Sequence, residues 1–469
     1  MSDAVASILR RSFPHTPTRG QEVLFQQFAR FWKASASARP CLLLRGYAGT
    51  GKTSLISAIV KSTPQLGYRY VLMAPTGRAA KVMSGYAKRA AFTIHKKIYK
   101  PKSEESSGSS LAFSRQKNYY KKTLFIVDEA SMLSESTEFG GGSLLSDLIR
   151  FVFEDESNRL ILVGDNAQLP PVHQLESKAL DKSWLIEKYK LDVYETELTE
   201  VMRQEQESGI LNNATTLREE LVKKEFSIRF KTSGYPDIYR MTGERIEDGL
   251  RYAYDKFGNE DTIIICRSNR SAVQYNEYIR RSIFWQENEI EAGDYLMIVR
   301  NNYTFLPETA AAGFLANGDF VEVMKIVSFE ELYGLRFATL ELRLLDYPDQ
   351  EPFEAKVILD TLHSHAPSLP QEDNRRLYQE VMMDYSDLAS KTERMKAVRK
   401  DPYLNALQVK FAYALTCHKS QGGQWKAVFV DQGYLPDEQV DKEYIRWLYT
   451  AVTRAKSELY LVNFHSKFF

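Results

Sequence analysis

The sequence has few cysteines, almost no net charge and no long apolar run. Its three cysteines, Cys41, Cys266 and Cys417, lie far apart, so neither a disulfide framework nor a cysteine-based metal site is expected. No apolar stretch approaches the roughly 18 residues of a membrane-spanning helix. The opening MSDAVASILRR also lacks the apolar segment of a signal peptide. These absences predict a cytoplasmic protein that does not enter a membrane.

The charge is balanced overall but uneven along the chain. The formal net charge is +1, which by itself does not indicate a polyanionic partner. From Lys61 to Lys122, however, there are 14 Lys and Arg residues against two acidic residues. A neutral protein with one basic face can still bind phosphates, although any single lysine of this region is more often only part of a solvated surface.

Short apolar runs recur through the 469 residues, a length that suggests about three structural units. Runs of this kind predict buried parallel strands whose carboxyl ends carry function. They are Cys41–Leu44, Tyr70–Met73, Leu124–Val127 and Leu160–Val163, and later Thr262–Cys266, Val428–Val430 and Leu459–Val462. Helical spacing of apolar residues from Gln21 to Trp32 predicts a core-facing helix before the first run. We therefore expect two α/β units, each with its own sheet.

Two segments interrupt this pattern. Residues 96–122 contain KSEESSGSS, which predicts a hairpin-like insertion. From Asn317 to about Leu359 apolar and polar residues alternate, which predicts antiparallel strands. The charged and proline-free segment from Gln371 to Lys400 predicts a solvent-exposed helical arm.

A phosphate-binding loop follows the first predicted strand. GYAGTGKT matches G-x-x-x-x-G-K-[ST] between a strand and a helix-like run, the context that the motif requires. Backbone N–H groups of Gly46, Gly49, Thr50 and Gly51 would wrap the phosphates of ATP. Lys52 would reach the β- and γ-phosphates, and the Thr53 hydroxyl would ligate Mg²⁺.

Two later strands end in further catalytic candidates. Asp128 and Glu129 follow Leu124–Val127, where an aspartate can hold Mg²⁺ and a glutamate can orient the attacking water. Gln168 follows Leu160–Val163 and could sense the γ-phosphate, although the segment could also be only a polar turn closed by two prolines. Arg203 and Arg454 lie in apolar-flanked segments and could supply positive charge to the γ-phosphate, or could be surface arginines.

These motifs together resemble one family. The ordered set is GYAGTGKT, APTGRAAK, TIHK, DEAS, VGDNAQLPPV, LTEVMRQ, TCHKSQG and LYTAVTRAK. It resembles superfamily 1 helicases, and most of all the 5′-to-3′ branch that contains the RecD and Dda helicases. The length, the short first insertion and the helical arm are more similar to the Dda-like members than to the longer RecD proteins.

The resemblance implies an α/β fold with two RecA-like P-loop NTPase domains. Domain 1A would comprise residues 1–95 and 123–194, and domain 2A residues 195–316 and 406–469. A β-hairpin pin insertion (1B) would occupy residues 96–122. An SH3-like β-barrel insertion with a helical arm (2B) would occupy residues 317–405.

The resemblance also assigns site residues. Gln21 would contact adenine, Lys52 and Thr53 form the Walker A pair, and Asp128 and Glu129 form the Walker B pair. The γ-phosphate sensors would be Gln168, Arg203 and Arg454, and Gln421 and Gly422 would belong to the nucleotide site. The residues expected to touch the DNA strand are Pro75, Thr76, His95, Thr416, His418 and Lys419. For His95 and His418 a structural role is the alternative. Phe113, near the hairpin tip, would either stack on the last base at a fork or pack the hairpin onto 1A.

The expected function is ATP- and Mg²⁺-dependent 5′-to-3′ translocation on single-stranded DNA, with unwinding of forked duplex DNA, by a monomer. Three alternatives remain open: an RNA helicase, a translocase that does not unwind, and a non-catalytic nucleic-acid-binding scaffold with a vestigial P-loop. Every catalytic position of the motifs is filled, which argues against the scaffold.

Overall fold

The computed structural model describes residues 2–101, 113–135, 143–172, 174–202, 207–302, 304–306, 314–436 and 440–469. The described strands are β1 Pro40–Gly46, β2 Arg69–Ala74, β3 Ala91–Thr93, β4 Tyr99–Pro101, β5 Phe113–Arg115, β6 Thr123–Val127, β7 Arg159–Gly164, β8 Asp192–Leu198, β9 Ile238–Met241, β10 Thr262–Cys266, β11 Tyr295–Ile298, β12 Phe320–Leu332, β13 Leu335–Leu344, β14 Phe353–Ile358, β15 Leu407–Phe411, β16 Ala414–Thr416, β17 Trp425–Asp431 and β18 Ala455–Val462. The described helices are α1 Ser2–Ser12, α2 Arg19–Lys33, α3 Lys52–Ser62, α4 Gly77–Ala87, α5 Ile94–Ile98, α6 Leu144–Val152, α7 Lys182–Tyr189, α8 Gly209–Glu220, α9 Ile246–Phe257, α10 Asn269–Tyr278, α11 Asp360–His363, α12 Gln371–Asp384, α13 Lys391–Lys400, α14 Cys417–Ser420 and α15 Lys442–Val452. None of these helices combines the length and apolarity that a bilayer span requires.

The first sheet has the strand order β3-β2-β6-β7-β1-β8, with all neighbours parallel. Its four central strands contain the four predicted apolar runs, because a strand covered by helices on both faces is apolar on both faces. Helix α2 also agrees with prediction and buries Leu24, Phe25, Phe28 and Phe31. The edge strand β8 was not predicted, and it continues to Leu198, past the expected 1A boundary at residue 194.

The second sheet has the parallel order β16-β10-β17-β18-β9. The predicted runs of this half lie in β10, β17 and β18 and occupy its centre. Helices α8, α9, α10 and α15 connect and cover its strands. Two separate α/β sheets were therefore predicted correctly, and the second contains no phosphate-binding loop within its described residues.

A closed barrel of β11-β12-β13-β14-β15 interrupts the second half. The alternation read from the sequence is confirmed in β13, where Leu340, Leu342 and Leu344 are buried between partly exposed residues. The barrel nevertheless extends beyond the predicted range 317–405 at both ends, because β11 and β15 pair with each other and close it. That closure joins segments more than 100 residues apart, so the local pattern did not reveal it.

The two insertions lie as the sequence suggested, with one difference. Strands β4 and β5 form an antiparallel pair in which Pro101 opposes Phe113, and the chain between them, residues 102–112, lies outside the described residues. Helices α12 and α13 form the arm. The arm is not fully solvent-exposed as predicted, because Leu377, Val381 and Val398 are buried in one cluster with the barrel residue Phe337.

Helix α4 of the first half packs directly against the barrel side of the second half. The buried Arg78 guanidinium donates to Asp346 Oδ1 at 3.2 Å and lies over the rings of Trp425 and Phe320. Lys81 Nζ donates to the Leu345 carbonyl at 2.7 Å. These contacts fix the first turn of α4 against the second half of the chain.

Asp319 lies in the same contact and is a buried acid. Its Oδ2 accepts the Ala316 N–H at 2.7 Å, while Oδ1 has no hydrogen-bond partner among the described residues. Burial, with a smaller contribution from the charge of Asp346, raises the pKa of Asp319 to about 8. The group is therefore mainly a neutral acid at neutral pH, and ionising it is unfavourable in the folded state.

We predict that Asp319→Asn makes thermal stability less dependent on pH. An acid whose pKa is raised on folding loses stability as pH rises from its ordinary value to its folded value, here from 3.8 to about 8. The asparagine variant should match the parent near the lower pH and melt above it near the upper one. Melting curves across this range test the prediction, with the exposed Asp349→Asn as control. Parallel pH profiles for the parent and Asp319→Asn would contradict it.

Candidate functional site

The phosphate-binding loop joins β1 to α3. Gly51 caps α3 with φ +81°, a left-handed conformation that favours glycine, and a Cβ there would lie 2.8 Å from Gln21 Nε2. Thr50 Oγ1 donates to the Tyr47 carbonyl at 2.7 Å and closes the turn. The loop therefore presents the amino end of a helix, where N–H groups and the helix dipole favour a phosphate.

Lys52 and Thr53 begin α3 beside this loop. Lys52 Nζ donates to the carbonyls of Gly46 and Tyr47, at 2.6 and 2.9 Å. Its charge is thus held over the loop by two neutral acceptors, with no carboxylate of the described residues in direct contact, and stays available to a phosphate. Thr53 is exposed and lines the same cleft.

Two carboxylates follow β6 at the edge of this cleft. Asp128 Oδ2 accepts a hydrogen bond from the Tyr86 hydroxyl at 2.5 Å, and Oδ1 accepts the Glu129 N–H at 2.9 Å. Burial, followed by the charge of Glu129, raises the pKa of Asp128 to about 6. Glu129 itself has φ +52°, a strained conformation for a residue with a side chain, and such strain is concentrated at functional sites.

These oxygens fit a Mg²⁺ ion. Carboxylate and hydroxyl oxygens are its usual protein ligands, and Asp128 and Thr53 both face the cleft. A cation would also offset the burial and the repulsion from Glu129 that raise the pKa of Asp128. Within the described ranges, no group of three or more His, Cys, Asp or Glu side chains could hold a metal ion. A Mg²⁺ ion here would accordingly take its other ligands from nucleotide phosphates and water.

Gln168 reaches the cleft from the loop after β7. Its side chain is buried, and its Oε1 has no hydrogen-bond partner in the part of the chain that the structure describes. A buried acceptor without a donor is costly, so a water or a ligand donor is expected beside it. This is the chemistry needed to orient an attacking water.

The second half of the chain closes the cleft from the opposite side. The buried Arg454 donates from Nε to the Thr450 carbonyl at 2.9 Å and from Nη1 to the Gly423 carbonyl at 3.2 Å. The cleft has a volume of about 940 Å³. Its lining includes the predicted residues Gly49, Gly51, Lys52, Thr53, Asp128, Glu129, Gln168, Gly422 and Arg454. Arg203 lies outside the described residues.

Two predicted nucleotide residues lie beside the cleft lining. Gln21 is fully buried, and its Nε2 donates to the Thr50 carbonyl at 3.1 Å, so it braces the loop from behind. Gln421 Nε2 donates to the Leu169 carbonyl at 2.7 Å and joins the two halves. Direct contact of either residue with a nucleotide stays a prediction.

The residues expected to touch a nucleic-acid strand follow strands at the same edges of the sheets. Pro75 and Thr76 follow β2, and Thr76 Oγ1 accepts the Ala79 N–H as the cap of α4. Gly422 has φ +75°, and a Cβ there would lie 3.2 Å from Thr76 Oγ1. The segment containing Thr76 therefore adjoins the TCHKSQG segment across the gap between the sheets.

Burial lowers the pKa values of His95, His418 and Lys419. It lowers the pKa of His95 to about 4, so this imidazole is neutral, and its ring lies 5.7 Å from that of Tyr99. Burial also lowers the pKa of His418, and it lowers the pKa of Lys419 to about 8. Thr416 immediately precedes α14, which carries His418 and Lys419. The backbone of Phe113 lies in β5, and its side chain is outside the described structure.

Sequence reasoning missed several polar residues in or beside the cleft. Tyr86, on α4, contacts Asp128, and no local signal in the sequence pointed to it. Asp165 and Tyr449 lie inside recognised motifs but received no role. A hydroxyl within the apolar segment LYTAV was the one available signal for Tyr449, because a buried hydroxyl requires a partner.

Two family models match the chain. An AAA domain matches residues 25–231, and a UvrD-like helicase C-terminal domain matches residues 411–462. The first range contains the phosphate-binding loop and both carboxylates, and the second contains Arg454.

Several known proteins are similar to this chain. An uncharacterised protein of Acanthamoeba polyphaga mimivirus is 25% identical over 89% of this chain and 94% of its own length. The ATP-dependent RecD2 DNA helicase of Deinococcus radiodurans is 33% identical over 28% of this chain and 16% of its own length. The ATP-dependent DNA helicase Dda of Enterobacteria phage T4 is 26% identical over 60% of each chain. The alignments thus span less than two thirds of the two named helicases.

Among solved structures, a structure of two coordinating Pif1 helicases at forked double-stranded DNA contains a chain similar to this one. The two chains superpose with a TM-score of 0.48 and are 16% identical in sequence. That comparison covers 97% of this chain and 94% of the other. The order of the motifs, both family models and the aligned helicases agree in their similarity to superfamily 1 helicases of the branch that contains RecD and Dda.

Proposed function

We propose that this protein hydrolyses ATP between its two sheets and uses the cycle to move 5′ to 3′ along single-stranded DNA and to unwind duplex DNA. One observation carries the proposal. A single cleft gathers Lys52 and the two carboxylates from the first half and Arg454 from the second. Phosphoryl-transfer enzymes commonly use this arrangement, in which positive charge from outside the phosphate-binding loop approaches the γ-phosphate.

Each cleft residue then has a role in the reaction. Lys52 neutralises the β- and γ-phosphates, and Thr53 and Asp128 hold Mg²⁺. Glu129 and Gln168 orient the attacking water, and Arg454 stabilises the charge of the transition state. Arg203 is proposed as a second arginine at the γ-phosphate, and Gln21 as the residue nearest the adenine.

Movement follows from the two-sided cleft. ATP contacts both halves and favours their closure, and hydrolysis removes that link. Closure produces directed motion only if the open and closed states bind the DNA strand differently. The proposed contacts, Pro75, Thr76, His95, Thr416, His418 and Lys419, come from both halves, so their spacing changes on closure. The domain boundaries inferred from the family serve as working boundaries of these moving parts.

The chemistry of the proposed strand contacts favours binding without sequence preference. His95 is neutral and can contribute a hydrogen bond or ring contact but no charge. Lys419 and the basic residues between Lys61 and Lys122 would bind phosphates, and such binding weakens as salt rises. The RecD2 and Dda relatives are DNA helicases by name, which supports DNA over RNA. Comparing ATPase stimulation by poly-dT and poly-U separates these two substrates.

The phosphate-site assignment predicts that Lys52→Ala abolishes ATP turnover and leaves single-stranded DNA binding intact. The change removes the cation at the phosphates and no proposed strand contact. Steady-state ATPase assays and DNA-binding titrations measure the two properties, and Lys33→Ala, at the exposed end of α2, is the control. Normal turnover by Lys52→Ala would refute the site assignment, whereas a parent protein without ATP turnover would favour the non-catalytic scaffold.

Glu129→Gln should bind ATP and fail to hydrolyse it. The amide keeps the shape of the side chain but cannot accept a proton from water as a carboxylate does. Equilibrium binding of ATP tests the retained affinity, and a single-turnover assay tests the loss of hydrolysis. A variant that does not bind nucleotide would show that Glu129 serves the fold or the binding step instead.

From the hairpin insertion we expect a variant that translocates along single-stranded DNA but does not unwind duplex DNA. An aromatic ring at a fork can stack on the last base, a contact that contributes about 1–3 kcal/mol by alanine substitution. Phe113→Ala should keep DNA-stimulated ATPase activity and unwind a 5′-tailed duplex poorly, whereas Phe113→Tyr, which keeps a stacking face, should unwind like the parent.

Strand-displacement assays on 5′-tailed and 3′-tailed duplexes test both strand separation and polarity. Preference for a 3′ tail would reject the proposed direction of travel. Equal loss of ATPase and unwinding in Phe113→Ala would show that the side chain packs the hairpin onto the first half. No unwinding by the parent on either substrate, with active translocation, would identify a translocase.

A further inference from the structure

Helix α15 places one tyrosine hydroxyl between the two halves of the chain. Tyr449 is fully buried, and its hydroxyl donates to Asp165 Oδ2 at 2.6 Å. The same oxygen accepts the N–H of Ala48, in the phosphate-binding loop, at 2.8 Å. One atom of the second half therefore holds two separate segments of the first half, and only a group that both donates and accepts can do so.

The first of these contacts shapes the loop that carries Gln168. Asp165 Oδ1 accepts the Ala167 N–H at 2.9 Å, and the Asp165 carbonyl accepts the Gln168 N–H at 3.3 Å. Farther along, the Leu169 N–H donates to Thr450 Oγ1 at 2.9 Å. Neighbouring residues of α15 thus hold both ends of the loop that places Gln168 in the cleft.

The same helix turn also fixes Arg454. The Tyr449 carbonyl accepts the Thr453 hydroxyl at 2.8 Å, and the Thr450 carbonyl accepts Arg454 Nε at 2.9 Å. Any shift of Tyr449 relative to Asp165 therefore shifts Arg454 relative to Gln168. The two groups proposed to act on the γ-phosphate from opposite sides are linked through one buried hydroxyl.

We propose that Tyr449 is a positioning residue for ATP hydrolysis, whose hydroxyl aligns Gln168 and Arg454 on the γ-phosphate when the two halves are closed. This inference rests on the proposed function and deepens it. Tyr449 does not touch the reacting atoms; it acts through Asp165 and the phosphate-binding loop. Its loss should consequently slow the chemical step more than it weakens nucleotide binding.

The test is Tyr449→Phe, which keeps the ring and removes only the hydroxyl. Tyr444, on the same helix, provides the matched control, because it is equally buried and its hydroxyl has no hydrogen-bond partner among the described residues. We expect Tyr449→Phe to lower kcat for single-stranded-DNA-stimulated ATP hydrolysis about tenfold, with KM for ATP and DNA affinity within about twofold of the parent. Tyr444→Phe should keep the parental values.

Asp165→Asn and the double variant complete the experiment. If the hydroxyl acts through Asp165, the double variant should be no slower than the slower single variant, because residues that act as one unit are not additive. If Tyr449→Phe does not fold, Asp165→Asn alone decides, and a fall in kcat at constant KM supports the proposal. Additive losses, or a kcat for Tyr449→Phe equal to that of Tyr444→Phe, overturn it.

The two proposals fail in different ways. A parent protein without DNA-stimulated ATP turnover would refute the proposed function itself. An active parent with a fully active Tyr449→Phe variant would refute only the positioning role.

Discussion

The backbone of Leu169 is held from both sides by the opposite half of the chain, and the rest of the site depends on this contact. Its N–H donates to Thr450 and its carbonyl accepts from Gln421, so the loop after β7 is tied to α15 and to the segment after α14 at once. Backbone groups buried at a junction must find partners, and here each partner comes from the other sheet. The carboxyl edges of two parallel sheets are thereby held face to face, and the cations and carboxylates converge on one cleft.

Much of the architecture could be predicted from short apolar runs, because central parallel strands such as β1 and β7 are buried on both faces and leave a continuous apolar signature. The edge strand β8 escaped prediction because its sequence DVYETEL is mostly polar and its fold depends on pairing with β1. For a related reason, the alternating strands of the barrel were predicted but its closure was not. The alternation in β13 is local, whereas closure requires β11 to pair with β15 across more than a hundred residues.

The same division between local and distant information applies to the site. The phosphate-binding loop and the two carboxylates could be assigned from the sequence, since each follows its own strand within a few residues. The hydroxyl contacts could not, because Tyr449 meets Ala48 across a separation of 401 positions. Tyr86, on α4, meets Asp128 across 42 positions, with no motif to mark it. Site residues that lie within one segment can be predicted from the sequence, whereas contacts that form only when distant segments pack together cannot.

The loop after β7 also has a consequence for how the protein is made. Ala167 and Leu169 belong to the first half by sequence but are buried in the apolar core of the second, together with Leu448, Tyr449 and Val452. During synthesis these two side chains emerge from the ribosome nearly 300 residues before the helix that covers them. A nascent chain therefore carries this loop uncovered until α15 has been made. The nucleotide cleft is therefore completed only after α15 has been translated.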